Sequence, residues 1–135
     1  MIKSPSHILV IKSDRSELCK IESFLSGVFL KYKLPSSCFN KVFLCISEAV
    51  VNAIDHGNKQ VKDKNITVGV CCDNKCVTIC VTDEGEGFDC NAVSDPTKRH
   101  NLLKESGRGI HIIRSMSQSL CYNKKGNSVQ FQINC

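Results

Sequence analysis

The stretch Ser47-Glu48-Ala49-Val50-Val51-Asn52-Ala53-Ile54-Asp55-His56-Gly57 decides how the rest of the chain is read. At about 100° per residue, Glu48, Asn52 and Asp55 fall in one narrow helical stripe. Phe39, Val42, Ile46, Val50 and Ala53 lie on the opposite side, where a core would want them. One face therefore packs, and the other presents a carboxylate, an amide and a second carboxylate. Gly57 fits the left-handed position after a helix end. Upstream, Ser36 or Ser37 can cap this helix, after Leu34-Pro35 has ended the preceding one.

Working outward toward the N-terminus, Leu18, Ile21, Leu25, Val28 and Tyr32 repeat on one helical face. Asp14, followed three residues later by Glu17, resembles a helix start. His7-Ile8-Leu9-Val10-Ile11 is a short β-branched apolar run and predicts a strand. Toward the C-terminus, Asn58 to Asn65 is polar and lysine-rich and reads as a surface connection. Two strands, Ile66–Cys72 and Lys75–Asp83, are joined by Asp73-Asn74, a good two-residue hairpin turn. That turn pairs Val70 with Val77, Val68 with Ile79, and Ile66 with Val81 on one apolar face. Asp83 continues the alternation, so its carboxylate points to the buried side and needs a partner. Residues 84 to 106 have little periodicity, and a loop this long in a compact domain is usually a functional lid or disordered. Ile110, Ile113, Met116 and Ser117 read as a helix. Strands Leu120–Asn123 and Ser128–Cys135 close the chain about Lys124-Lys125-Gly126-Asn127.

With 135 residues the chain suits one domain that needs no staples to fold. Met1-Ile2-Lys3-Ser4-Pro5 lacks the apolar run of a signal peptide, and nothing approaches the ~18 apolar residues of a membrane span. The net charge of +5 suits an anionic ligand or an acidic partner, but is too diffuse for a nucleic-acid surface. The ten cysteines sit mostly inside apolar periodic segments. Cys72, Cys76 and Cys80 do not form the paired spacing of a zinc site. They are expected to be reduced small hydrophobes of a cytoplasmic protein.

Two glycine-punctuated stretches complete the pattern: Asp83-Glu84-Gly85-Glu86-Gly87-Phe88 and Gly107-Arg108-Gly109-Ile110. Magnesium takes one or two protein oxygens and lets phosphates supply more, which Asn52 could satisfy through its amide. Glu48, one turn earlier, could orient or deprotonate a hydroxyl, with Asp55 behind. Gly85 and Gly87 let backbone approach a flat ligand, and Asp83 could accept a hydrogen bond from an exocyclic amine. Gly107-Arg108-Gly109 opens a helix whose amides suit phosphate. Singly, each feature has a blander reading: a solvated helix stripe, or His56 capping a helix C-terminus. Neither glycine pair completes a dinucleotide fingerprint, since Cys90 and Ile112 stand where a third glycine belongs, and no phosphate-loop lysine motif occurs. The joint occurrence in this order is what the bland readings fail to explain.

Ser47–Gly57 resembles the N box of the GHKL ATPases, the superfamily of gyrase, Hsp90, histidine kinases and MutL. Asp83–Phe88 and Gly107–Ile110 resemble its two glycine boxes. The short chain, with Ser-Glu-Ala-x-x-Asn-Ala, is most similar to the anti-sigma-factor serine/threonine kinases. The resemblance implies a two-layer α/β sandwich over residues 1–135, a mixed sheet covered on one face by helices. It implies ATP and Mg²⁺ as cofactors, with Asn52 as metal ligand, Glu48 as general base and Asp83 reading adenine. Asp55, Gly85, Gly87, Phe88, Gly107, Arg108, Gly109 and Ile110 would line the site under a lid at about 89–106. Arg108 departs from members with a small or apolar residue there. The implied partners are an antagonist protein phosphorylated on serine and a sigma factor, with a homodimer open and neither nucleic acid nor membrane bound. Two rivals stand beside it: a nucleotide-binding switch without phosphotransfer, and a histidine-kinase catalytic domain acting in trans. No dimerisation helix with a phosphoacceptor His precedes the motifs.

Overall fold

The computed structural model describes residues 5–86 and 107–135, with only the backbone at Arg108. Gly87, Phe88 and the expected lid at 89–106 lie outside the described residues. The elements run β1 (His7–Lys12), a 3₁₀ turn (Arg15–Glu17), α1 (Leu18–Tyr32), a second 3₁₀ turn (Ser36–Cys38) and α2 (Phe39–Asn52). A single π turn (Ala53–Gly57) then leads to β2 (Asn65–Asp73), β3 (Cys76–Asp83), α3 (Gly107–Met116), β4 (Gln118–Tyr122) and β5 (Ser128–Asn134).

The strands form one sheet in the order β1-β2-β3-β5-β4. Among the described residues every pairing is antiparallel, so the two-layer sandwich is present, with an antiparallel sheet there in place of the expected mixed one. Alternation decides the faces. Ile66, Val68, Val70, Val77, Ile79, Val81, Val129, Phe131 and Ile133 point into one core with Ile21, Leu25, Val28, Val42, Ile46 and Val50 of the helices. On the opposite face Ile8 and Val10 remain 57% and 55% exposed.

Local chemistry explains where elements start and stop. Asp14 accepts a hydrogen bond from the Ser16 N–H at 3.1 Å, as a helix cap should. Glu17 reaches back to the Lys12 N–H rather than to Asp14, and the first turn is 3₁₀. Lys33 ends α1 in the left-handed region, and Pro35 rather than Ser36 or Ser37 occupies the next cap position, with no side-chain cap bond. The β2–β3 hairpin turns at Asn74-Lys75, both at positive φ, one position later than expected. Val70 therefore pairs with Ile79, Val68 with Val81, and Ile66 with Asp83. The two-residue displacement preserves the face of every side chain.

Two further expectations are corrected. The continuous helical run Ser36–Gly57 has 22 residues and contains an 18-residue window of mean hydropathy 1.3, enough by length and composition for a membrane span. Its apolar stripe is instead packed in the core through Val42, Cys45, Ile46, Ala49 and Val50. Cys38 and Cys135 form a disulfide, so these two cysteines are not free thiols, whereas Cys19, Cys45, Cys71, Cys72, Cys76, Cys80 and Cys121 are.

Candidate functional site

The site begins where α2 loosens. The Asn58 N–H donates to the Ala53 carbonyl at 2.7 Å, a bond spanning five residues instead of four. Such π turns occur frequently at functional sites because the extra residue re-aims the side chains beyond it. Asn52, at the end of regular α2, faces a cavity, as do Ala53, His56 and Gly57. Asp55 faces elsewhere: its carboxylate pairs with the Arg15 guanidinium at 2.7 Å and does not line the cavity.

The cavity is open to solvent and has a volume of about 160 Å³. Ile110 of α3 lines it from one side and Val81 and Asp83 of β3 from another. The N-terminal turn of α3 passes close over α2. A Cβ on Gly109 would stand 3.0 Å from both Asn52 Nδ2 and Glu48 Oε2. Glu48 and Asn52 are thus brought together beneath Gly109, with Glu48 outside the cavity lining. Among the described residues, Asn52 Nδ2 is buried without a hydrogen-bond partner, an unsatisfied group that calls for a ligand or another explanation.

Asp83 lies across the cavity, half-buried. Burial pushes its carboxyl above the usual carboxylate range, and the Gly85 N–H at 2.7 Å acts in the opposite direction. Its backbone is bracketed by the β4–β5 turn: the Asp83 N–H donates to the Asn127 carbonyl at 2.9 Å, and Asn127 Nδ2 donates to the Asp83 carbonyl at 3.0 Å. Gly57 and Gly85 meet at this carboxylate. A Cβ on Gly57 would overlap the Asp83 carboxylate, and one on Gly85 would overlap the Gly57 carbonyl. Gly57 therefore does not fill the left-handed position expected of it; Lys59 and Gln60 carry the positive φ values after the turn.

Asn52, Asp83, Gly85, Gly109 and Ile110 converge, joined at their margin by Glu48, and Gly107 opens α3. Gly87 and Phe88 and the Arg108 side chain fall outside the described residues. Sequence reasoning missed Tyr122, Asn127 and Ser128, which also line the cavity. Only the long-range β3–β5 pairing, Thr82 opposite Ser128, carries them there.

The histidine kinase-like ATPase domain model matches residues 11–133. The serine-protein kinase RsbW of Staphylococcus epidermidis is 29% identical over 119 residues, covering 78% of this chain and 71% of the relative. RsbW of Staphylococcus aureus is 28% identical over 115 residues with the same coverage. RsbW of Oceanobacillus iheyensis is 23% identical over 107 residues, covering 75% and 68%. With the glycine-lined cavity between α2, α3 and β3, and with nearly the whole chain matched, the protein belongs to the histidine kinase-like ATPase domain family.

Proposed function

We propose that the chain is a single-domain, cytoplasmic ATP-dependent protein-serine kinase and anti-sigma factor that switches partners, phosphorylating a small antagonist protein in one state and holding a sigma factor in the other. The observation that carries this reading is the convergence of Glu48 and Asn52 beneath Gly109, with Asp83 across the cavity that Asn52 lines. Similarity to proteins named serine-protein kinase RsbW supports the choice of serine as acceptor.

The residues present fit ATP and Mg²⁺. Asn52, which lines the cavity, offers its amide carbonyl oxygen as one of the few protein ligands magnesium takes. When bound, the two supply the transferable phosphoryl group and neutralise its charge. Asn52 would hold the ion. Asp83, whose carboxylate the absence of a Cβ at Gly57 lets in, would accept a hydrogen bond from the exocyclic amine of adenine. The first amides of α3, from Gly107 onward, would face phosphate, while Glu48 would accept the proton of the attacking serine hydroxyl. The second reading, a nucleotide-binding switch without phosphotransfer, is favoured by one observation: Glu48 sits beneath Gly109 rather than in the cavity wall.

Labelled ATP, incubated with the protein and its candidate antagonists, separates the two. Glu48→Gln should keep ATP affinity within a few-fold while cutting phosphotransfer by roughly 10²–10⁴, the worth of a positioned general base. Asn52→Ala should lose magnesium-dependent binding and transfer together. Wild-type protein that binds ATP and phosphorylates no antagonist would favour the switch without chemistry. Disulfides are rare in the cytoplasm, so thiol trapping in intact cells also tests the compartment against the Cys38–Cys135 bond.

A further inference from the structure

Asn58, in the segment whose composition reads as a surface connection, is completely buried. Nearly all of its hydrogen-bonding capacity is engaged. Its N–H donates to the Ala53 carbonyl at 2.7 Å, and its carbonyl accepts from the Val61 N–H at 3.0 Å. Its side chain does something different. Oδ1 accepts from the Glu84 N–H at 2.9 Å, and Nδ2 donates to the Asn65 carbonyl at 3.2 Å. Glu84 closes the circuit, since its carboxylate accepts from the Asn65 N–H. The result is a ring through three segments far apart in sequence: the exit of the π turn, the first residue of β2, and the residue directly after Asp83.

We propose that Asn58 is the positioning residue for base recognition, fixing the Asp83 carboxylate relative to Asn52 and so setting where an adenine sits against its phosphates. This rests on the reading of Asp83 as the adenine contact. Asp83 is held from two sides. Asn127 grips its own N–H and C=O from the β5 side, and Asn58 grips the next amide from the α2 side. Asn58 lies six residues after Asn52 along the π turn, so the same short stretch carries both the proposed ion ligand and the anchor of the base reader. Gly57, between them, leaves the space that the carboxylate occupies. A side chain needed only to fill a buried turn would have no reason to bond the Glu84 amide. An amide oxygen placed there fixes the direction in which the chain leaves Asp83.

The test is nucleotide discrimination, measured by calorimetry with ATP and with inosine triphosphate, which lacks the exocyclic amine. A site built to hydrogen-bond a group rejects the analogue without it, so the wild type should prefer ATP by about tenfold or more. Asn58→Ala should collapse that preference at least about fivefold, with inosine triphosphate binding kept within about twofold, because only the base contact is misaligned. Equal weakening of both nucleotides would make Asn58 a purely structural residue and overturn the proposal. If Asn58→Ala does not fold, Glu84→Ala decides. That residue is exposed, and its loss opens the same ring at Asn65; the preference should again fall, and an unchanged preference overturns the proposal. Wild-type protein with no preference for ATP, or Asp83→Asn with the preference intact, would remove the adenine reading itself. The proposal would fall with that reading, through a result distinct from any on Asn58.

Discussion

The carboxylate of Asp83 is held in a place that costs the apo protein stability. Burial raises its folded-state value above the ordinary one, so the native protein binds this proton more tightly than the unfolded chain does. The sign follows: this group's contribution to stability is full at acidic pH and is lost as pH rises from about 3.9 through the raised folded value. Asp83→Asn should therefore remove a component of instability at neutral pH and flatten that part of the pH dependence. It should also weaken ATP binding by at least about tenfold, the loss of a charged hydrogen bond. Urea titrations across pH 4 to 7, with calorimetry of the same variant, check both signs; a variant that loses stability and keeps affinity would contradict both. The place of Asp83 was legible in sequence because alternation with Val77, Ile79 and Val81 aims it inward. The identity of Gly57 was legible and its reason was not. Glycine is required there by the approach of Asp83 from another strand, a tertiary constraint that no local pattern encodes.

At the scale of elements, α2 and the two hairpins divide the work. The amphipathic stripe of α2 identified the helix and its polar face. The π turn after it was invisible, because one extra residue in a turn leaves the apolar pattern almost unchanged. That turn sends Asp55 to Arg15 and His56 to the cavity. The β2–β3 hairpin was placed one residue early because Asp73-Asn74 and Asn74-Lys75 are both plausible turns, and the pair with Asn first is the one used. The β4–β5 turn carries more of the site than its sequence suggests. Asn123 Oδ1 accepts from the Gly126, Asn127 and Ser128 N–H groups at 2.8, 3.0 and 3.1 Å. Asn123 Nδ2 donates to Asn127 Oδ1 at 2.7 Å. Asn123→Ala would leave these partners without that acceptor and loosen the bracket around Asp83. We expect a loss of about 1–3 kcal/mol in urea unfolding, with ATP affinity reduced in the same variant. Unchanged stability would show that solvent replaces the carboxamide.

Across the whole molecule, the three motifs were readable from spacing and order, because each is local, and family and sandwich followed from their resemblance to a known family. The antiparallel pairing of every described strand and the bond between Cys38 and Cys135 were not, since both depend on which distant segments meet. Those two cysteines are separated by 97 positions and their Cα atoms lie 5.7 Å apart. On the chain-entropy account, closing a loop of this size stabilises the fold by about 4.7 kcal/mol. Reduction, or Cys38→Ser, should lower the urea midpoint by a corresponding amount, and equal midpoints with and without reductant would contradict the loop-closure account. The bond also gives the polypeptide a shape that survives denaturation. It draws α2, the π turn, α3 and four of the five strands into one covalent ring, and leaves β1 and α1 as a tail outside it. Unfolded but unreduced, the protein is a lasso rather than a thread, and on a denaturing gel without reductant it should run ahead of its own reduced form.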